Sequence, residues 1–324
     1  MTDAVTRNDQ TAADDRTRRR IYIQEYALVG VLIVLIVAGS IAKPSAFLSS
    51  SNLFTVLTQA SVVGVLAIGM TFVIASSGID LSVGSLVAAA GIAGGLLGDG
   101  GSGMAFILGA LGFGLLLGSI NGFAITFGRV VPFIATLAML TIGRGLALRM
   151  SGKTPISVIL LDQVRWFGNG KVLGIPAPVI VLIGLTAIGW VVLNRTAYGR
   201  YVVAIGGNRE AARIAGIRVR PIVFSVYALS GLCAGISAIL ITGRLASASP
   251  VAGALYELDA IAAVVIGGTS LAGGRATMVG TFLGVMTFAL IFNLLNLLNI
   301  PTEYQLIVKG VIVLIAVVAQ RRDS

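Results

Sequence analysis

From about residue 22 to residue 319 the chain is a succession of apolar runs of roughly 17 to 25 residues, broken only by short polar or glycine-rich interruptions. A run of about 20 apolar residues matches the hydrocarbon thickness of a bilayer when it is helical. Runs at 22–41, 54–76, 81–98, 104–127, 132–150, 176–194, 221–243, 257–272, 276–299 and 303–319 predict an all-α integral membrane protein. It has about ten transmembrane helices with glycine-broken segments. With 56% hydrophobic and 11% charged residues, and a mean hydropathy of +0.98, the chain is more apolar than one soluble core can hide.

Ten spans place both termini on one side. A cytoplasmic N-terminus puts fifteen of the 23 Lys and Arg residues inside. Only Lys43, Lys153, Arg165, Lys171 and Arg244 then fall outside. Positive charge collects on the cytoplasmic side of membrane proteins, so both termini are expected in the cytoplasm. The net charge of +10 is read as this topology signal and not as a nucleic-acid surface, because the cations sit in the breaks and not along one face. Residues 1–20 form a polar cytoplasmic tail ending in Arg18-Arg19-Arg20, residues 21–320 the membrane domain, and residues 321–324 the C-terminus. The first run is too long for a signal-peptide core, so it is expected to be a retained span. The longest inside segment is 195–220 and the longest outside one 151–175.

Histidine is absent, which excludes a histidine base, a histidine metal ligand and a Ser-His or Cys-His nucleophile pair. The single cysteine, Cys233, lies in an apolar run and supports neither a disulfide nor a metal cluster. No catalytic residue, metal site or cofactor is expected. Glycines recur every four residues at Gly91 and Gly95, Gly114, Gly118 and Gly122, Gly231 and Gly235, and Gly280 and Gly284. Such stripes let helix backbones approach closely in lipid, the alternative being a pore lining.

Three interruptions stand out. In the first, Asn208-Arg209-Glu210-Ala211-Ala212-Arg213 leads to Gly216. It reads as a short helix, capped by Asn208, with Glu210 at its positive end and Gly216 as a left-handed stop. It is either a solvated basic loop or, through a small-residue face at Ala211, Ala212 and Ala215, a docking element. The second, Ser76-Ser77-Gly78-Ile79-Asp80-Leu81-Ser82, breaks two long runs; Asp80 either caps the next span with Ser82 or acts in gating. In the third, Glu257 and Asp259 open an apolar span that ends in glycines. Charges at membrane depth are costly unless paired, and Lys309 with Arg144 or Arg149 are the expected partners. All three carboxylates are expected near span ends. Residues 78–85 and 274–281 share a Gly, Val-Gly-Ser/Thr spacing that hints at a repeat. Thr71, Asn121, Asn293 and Asn296 either face a pathway or satisfy neighbouring helices.

These segments resemble the permease subunit of ribose-type bacterial ABC sugar importers, in the wider group that includes branched-chain amino acid permeases. The likeness covers about residues 45–320. It is carried by GMTFVIASSGIDLSVGSL at 69–86, RVVPFIATLAML at 129–140, TAYGRYVVAIGGNREAARIAGI at 196–217 and YELDAIAAVVIGGTSLAGG at 256–274. It implies a multi-pass protein of the bacterial inner membrane, a homodimer of permeases, an ABC ATPase subunit and an extracytoplasmic solute-binding protein. It also implies that residues 208–216 couple to the ATPase and that the 151–175 loop, with Arg165, Trp166 and Phe167, meets the binding protein. An interfacial anchor is the other reading of that loop. The chain has no GxxxxGK[ST] loop, so ATP hydrolysis falls to the partner. The solute expected is a monosaccharide. An ion-coupled secondary transporter, or a permease for branched-chain amino acids or nucleosides, is the alternative.

Overall fold

The computed structural model describes residues 26–321; the tail at 1–20 and the last three residues lie outside the described residues. Helices occupy all ten apolar runs: α1 (Tyr26–Ala42), α3 (Ser50–Ala75), α4 (Val83–Leu97), α5 (Gly103–Thr126), α6 (Pro132–Met150), α8 (Ala177–Arg195), α11 (Val219–Leu245), α12 (Tyr256–Ile266), α13 (Met278–Leu297) and α14 (Thr302–Arg321). Of these, α3, α5, α6, α8, α11 and α13 are long and apolar enough to cross a bilayer by length and composition. Short elements join them: α2 (Pro44–Phe47), α7 (Asp162–Asn169), α9 (Ala197–Gly207), α10 (Arg209–Ile214), and four two-residue strands, β1 (Ile156–Ser157), β2 (Lys171–Val172), β3 (Ile175–Pro176) and β4 (Ser247–Ala248). β1 pairs antiparallel with β4, and β2 with β3.

Local chemistry sets the helix starts. Ser49, Ser102 and Thr277 each accept from a free backbone N–H in the first turn of α3, α5 and α13. Proline opens α6 and α8, where its missing N–H costs nothing.

Two elements differ from the expected spans. The run at 257–272 is helical only to Ile266, and left-handed Gly268, Gly273 and Gly274 hold the rest in turns. Glycine tolerates that backbone region, which apolar composition alone does not reveal. At 1.5 Å per residue, α4 is about 22 Å long and α12 about 16 Å, both short of a hydrocarbon core of about 30 Å.

Helix α3 is the hub, packed against α8, α11, α12 and α13, and from Ala60 onward it is apolar and largely buried all round, as a helix surrounded by others must be. The most extensive helix–helix contact joins α5 and α11. A methyl group on Gly118 would lie 2.8 Å from the Gly231 Cα, and one on Gly235 or Gly122 would lie 2.7 Å from the carbonyl oxygen of Ala110 or Phe224. The glycine stripes are therefore packing surfaces. The same holds for Gly280 and Gly284, which lie on the backbone of α12 at Gly267 and Ala263. Gly91 and Gly95 instead meet the side chains of Thr242 and Ile156.

Gly118→Leu should therefore wedge α5 from α11 and destabilise the protein by about 1–3 kcal/mol or more. Gly112→Ala, where nothing lies within 4 Å, should be near neutral. Thermal unfolding of the purified protein in detergent distinguishes the two.

Candidate functional site

The interruption at 195–220 is helical on both sides of a glycine pair. Helix α9, which the sequence reading missed, starts at a Thr196 side chain accepting from Gly199 N–H and buries Val202 and Ile205. The signal was present in that cap, in the apolar spacing of Val202 and Ile205, and in the Gly206-Gly207 stop. Helix α10 follows. Asn208 Oδ1 accepts from Ala211 N at 2.9 Å and Gly216 takes φ +83°, as the sequence implies. Glu210 accepts from the Arg213 guanidinium, which holds its carboxyl below the usual range. That contribution is present above the unfolded pKa of a glutamate and is lost as pH falls through the lowered folded value, so the helix keeps it at neutral pH.

The expected small-residue face needs correction. Ala212 is buried in the core of its own chain, while Ala211 and Ala215 are exposed on the other side with Ile214, which is 76% exposed. Positions 212 and 215 are three apart and periodicity alone would not separate them; packing at the end of α10 chose which turns inward. Ile214 is the apolar side chain that the sequence reading omitted. Arg209, Glu210 and Arg213 border a recess of about 490 Å³ against the α5–α6 turn, at Arg129 and Val130.

The end of α9 meets the two other broken segments. Gly274 N donates to Ala75 O at 3.1 Å, at the end of α3. Gly206 lies against both Ala75 and Gly274, and Gly273 lies against Gly206 and Ser77, so no side chain separates these backbones. Ser77 is exposed, with a positive φ of 62°. Helix α10 thus starts three residues beyond Gly206, which lies at a junction of α3, α9 and the α12–α13 break.

Asp80 lies deeper than expected. It does not cap α4; Oδ1 accepts from Ser82 N at 3.0 Å and Ser82 Oγ at 2.6 Å, and Oδ2 accepts from Ser230 Oγ at 2.8 Å, near the middle of α11. Asn121 Nδ2 donates to Ser82 Oγ at 2.8 Å, which ties α5 into the same buried network. Distance along the sequence from a helix end does not fix depth when the break folds back into the bundle. Position near span ends is therefore no ground for setting an ion-coupled transporter aside.

Asp259 pairs with Lys309 Nζ, as expected. Glu257 is buried against Gly84, and Arg144, whose charge acts on it, donates instead to Pro250 O at 2.8 Å and Ala252 O at 3.0 Å. Arg149 is exposed and is not a partner. The other polar candidates bond to neighbouring helices: Thr71 Oγ1 lies 2.8 Å from Thr281 Oγ1, Asn293 and Asn52 exchange amide bonds at 2.7 and 3.1 Å, and Asn296 Oδ1 accepts from Gln305 at 2.9 Å. The segments 78–85 and 274–281 do the same local job, each a glycine break followed by a small-residue helix start. In the 151–175 loop, α7 packs on α11, Trp166 is half-exposed and Phe167 turns inward.

Lys309→Met should leave Asp259 buried and unpaired, at a cost of about 3–5 kcal/mol. Adding Asp259→Asn should restore more than half of it, as read from thermal unfolding of the single and double variants.

The branched-chain amino acid transport system / permease component family model matches residues 52–317. Ribose import permease protein RbsC of Escherichia coli (strain K12) is 41% identical over 319 residues, covering 97% of this chain and 99% of the relative. RbsC of Bacillus subtilis (strain 168) is 46% identical over 296 residues, covering 90% and 91%. Xylose transport system permease protein XylH of E. coli (strain K12) is 33% identical, covering 92% of each. No solved structure gives a significant match. The glycine-broken bundle with its capped, outward-facing α10 is thus accompanied by similarity along nearly its whole length, and the chain belongs to the branched-chain amino acid transport system / permease component family.

Proposed function

We propose that the chain is the membrane-spanning permease subunit of an ABC importer that carries a monosaccharide into the cytoplasm. It is a transport subunit of the bacterial inner membrane; a separate ATPase subunit hydrolyses ATP, and an extracytoplasmic binding protein delivers the solute. The relatives at 41% and 46% identity are ribose import permeases, which supports a sugar over a branched-chain amino acid or nucleoside. Two copies form the conduit. Each crosses the membrane ten times with both termini in the cytoplasm, the orientation that keeps most Lys and Arg residues inside.

The observation that carries the coupling role is α10: a six-residue helix, too short to persist alone in water, held by its cap and by Ala212 while it offers Ile214, Ala211 and Ala215 outward. A groove of the ATPase covers that face. ATP closing the ATPase pair shifts the position of α10, and the Gly206–Gly274–Ala75 junction passes the shift to the broken ends of α3 and α12, biasing the pathway between inward and outward arrangements. The half-exposed Trp166 and the rest of the 151–175 loop face the binding protein.

Replacing Glu210 and Arg213 together by alanine should abolish uptake while the delivery protein still binds its solute. Uptake that persists with the ATPase co-purifying at normal levels would show that α10 is not the coupling element.

A further inference from the structure

A cavity of about 220 Å³ lies between α3, α11, α12, α13 and α14. That is smaller than a site for a drug-sized ligand and suits a small solute. One wall is aromatic. Phe288 and Phe292 stack at a tilt with centroids 4.6 Å apart, and Tyr256 stands on the adjoining helix. The other wall is polar and carries Gln59, Arg244 and the Asp259–Lys309 pair, with the Lys309 ammonium 5.4 Å from the Phe292 ring centre. Phe288, Asp259 and Lys309 are largely buried, so this chemistry is held away from bulk solvent.

A second recess, of about 400 Å³, shares Arg244 as a wall and is lined by Ser50, Ser51, Thr55 and Thr58 at the start of α3, with Asn169 and Lys171 from the outside loop. Thr55 and Gln59 stand one helical turn apart, so a polar stripe runs down α3 from the open recess to the cavity. Hydroxyls and amides that both donate and accept, next to an aromatic face, fit a neutral polyhydroxylated molecule. The Arg244 guanidinium supplies further donors for hydroxyl oxygens. Because Lys309 already neutralises Asp259, no free carboxylate remains for the ammonium of an amino acid.

Building on the importer reading above, we infer that this cavity is a transit subsite for a neutral sugar, entered from the outside through the recess that shares Arg244. Gln59 and Tyr256 hydrogen-bond the sugar hydroxyls, and Phe292 covers its apolar face. Occupancy is brief, because release inward requires that no single contact hold the solute tightly.

The test uses the complete importer, with its ATPase and binding protein, in proteoliposomes carrying Cys233→Ala so that an introduced cysteine is alone. Gln59→Cys should react with a membrane-impermeant maleimide added outside during turnover, saturating ribose should slow that reaction about ten-fold or more, and the modification should stop uptake. Leu160→Cys, on the exposed outside loop, should react with no protection by ribose. In unlabelled vesicles, Tyr256→Phe and Phe292→Leu should each lower ribose uptake about ten-fold at unchanged complex yield and unchanged ATP hydrolysis. The inference is overturned if Gln59→Cys stays unmodified, if ribose gives no protection, or if both Tyr256→Phe and Phe292→Leu transport at the wild-type rate. Wild-type vesicles that take up none of ribose, xylose or galactofuranose would instead remove the sugar assignment itself, before any variant is compared.

Discussion

Backbone amides and carbonyls have no water to turn to inside an apolar bundle, so a helix can break there only where other protein satisfies the ends. The junction of Ala75, Gly206 and Gly274 meets that demand. The Gly274 N–H closes on the Ala75 carbonyl, and glycines on both facing segments let the backbones touch. Three chain segments distant in sequence are thereby bound to one point, and the exposed helix α10 starts three residues beyond Gly206. A displacement of α10 cannot be absorbed in side-chain rearrangement there, because few side chains are present to rearrange.

Above this junction the bundle is held by two different kinds of contact. Between α5 and α11 the adhesive is dispersion between closely approaching glycine backbones, which works in lipid where burial of apolar surface gives helices no reason to associate. Around Asp80 it is a chain of hydrogen bonds from Asn121 through Ser82 to the carboxylate and on to Ser230, which links α4, α5 and α11. The Asp80 network fixes where the α3–α4 break sits against α5 and α11.

The charges around α12 follow a third logic. Asp259 and Lys309 neutralise each other on facing helices, and Arg144 ties α6 to the carbonyls of residues 250 and 252 ahead of α12. These contacts hold the short α12 in place. The same pair lends its polarity to the aromatic cavity beside it, so one interaction serves both the packing of α12 and the proposed passage of solute.

Much of this was legible in the chain. Apolar run length located the long helices, cap chemistry determined the start and stop of α10 at Asn208 and Gly216, and four-residue glycine spacing marked the faces on which α5 and α11 approach. These are local properties, set by neighbours within one or two turns. The tertiary structure alone decided that Asp80 reaches the middle of α11, that Ala212 turns inward while Ile214 turns outward, that Lys309 meets Asp259 while Arg149 stays exposed, and that α12 ends at Ile266. Each of those depends on which helices become neighbours across the bundle, and in lipid a uniformly apolar helix carries no strong stripe to announce its neighbours: backbone proximity and a few buried polar contacts make that choice.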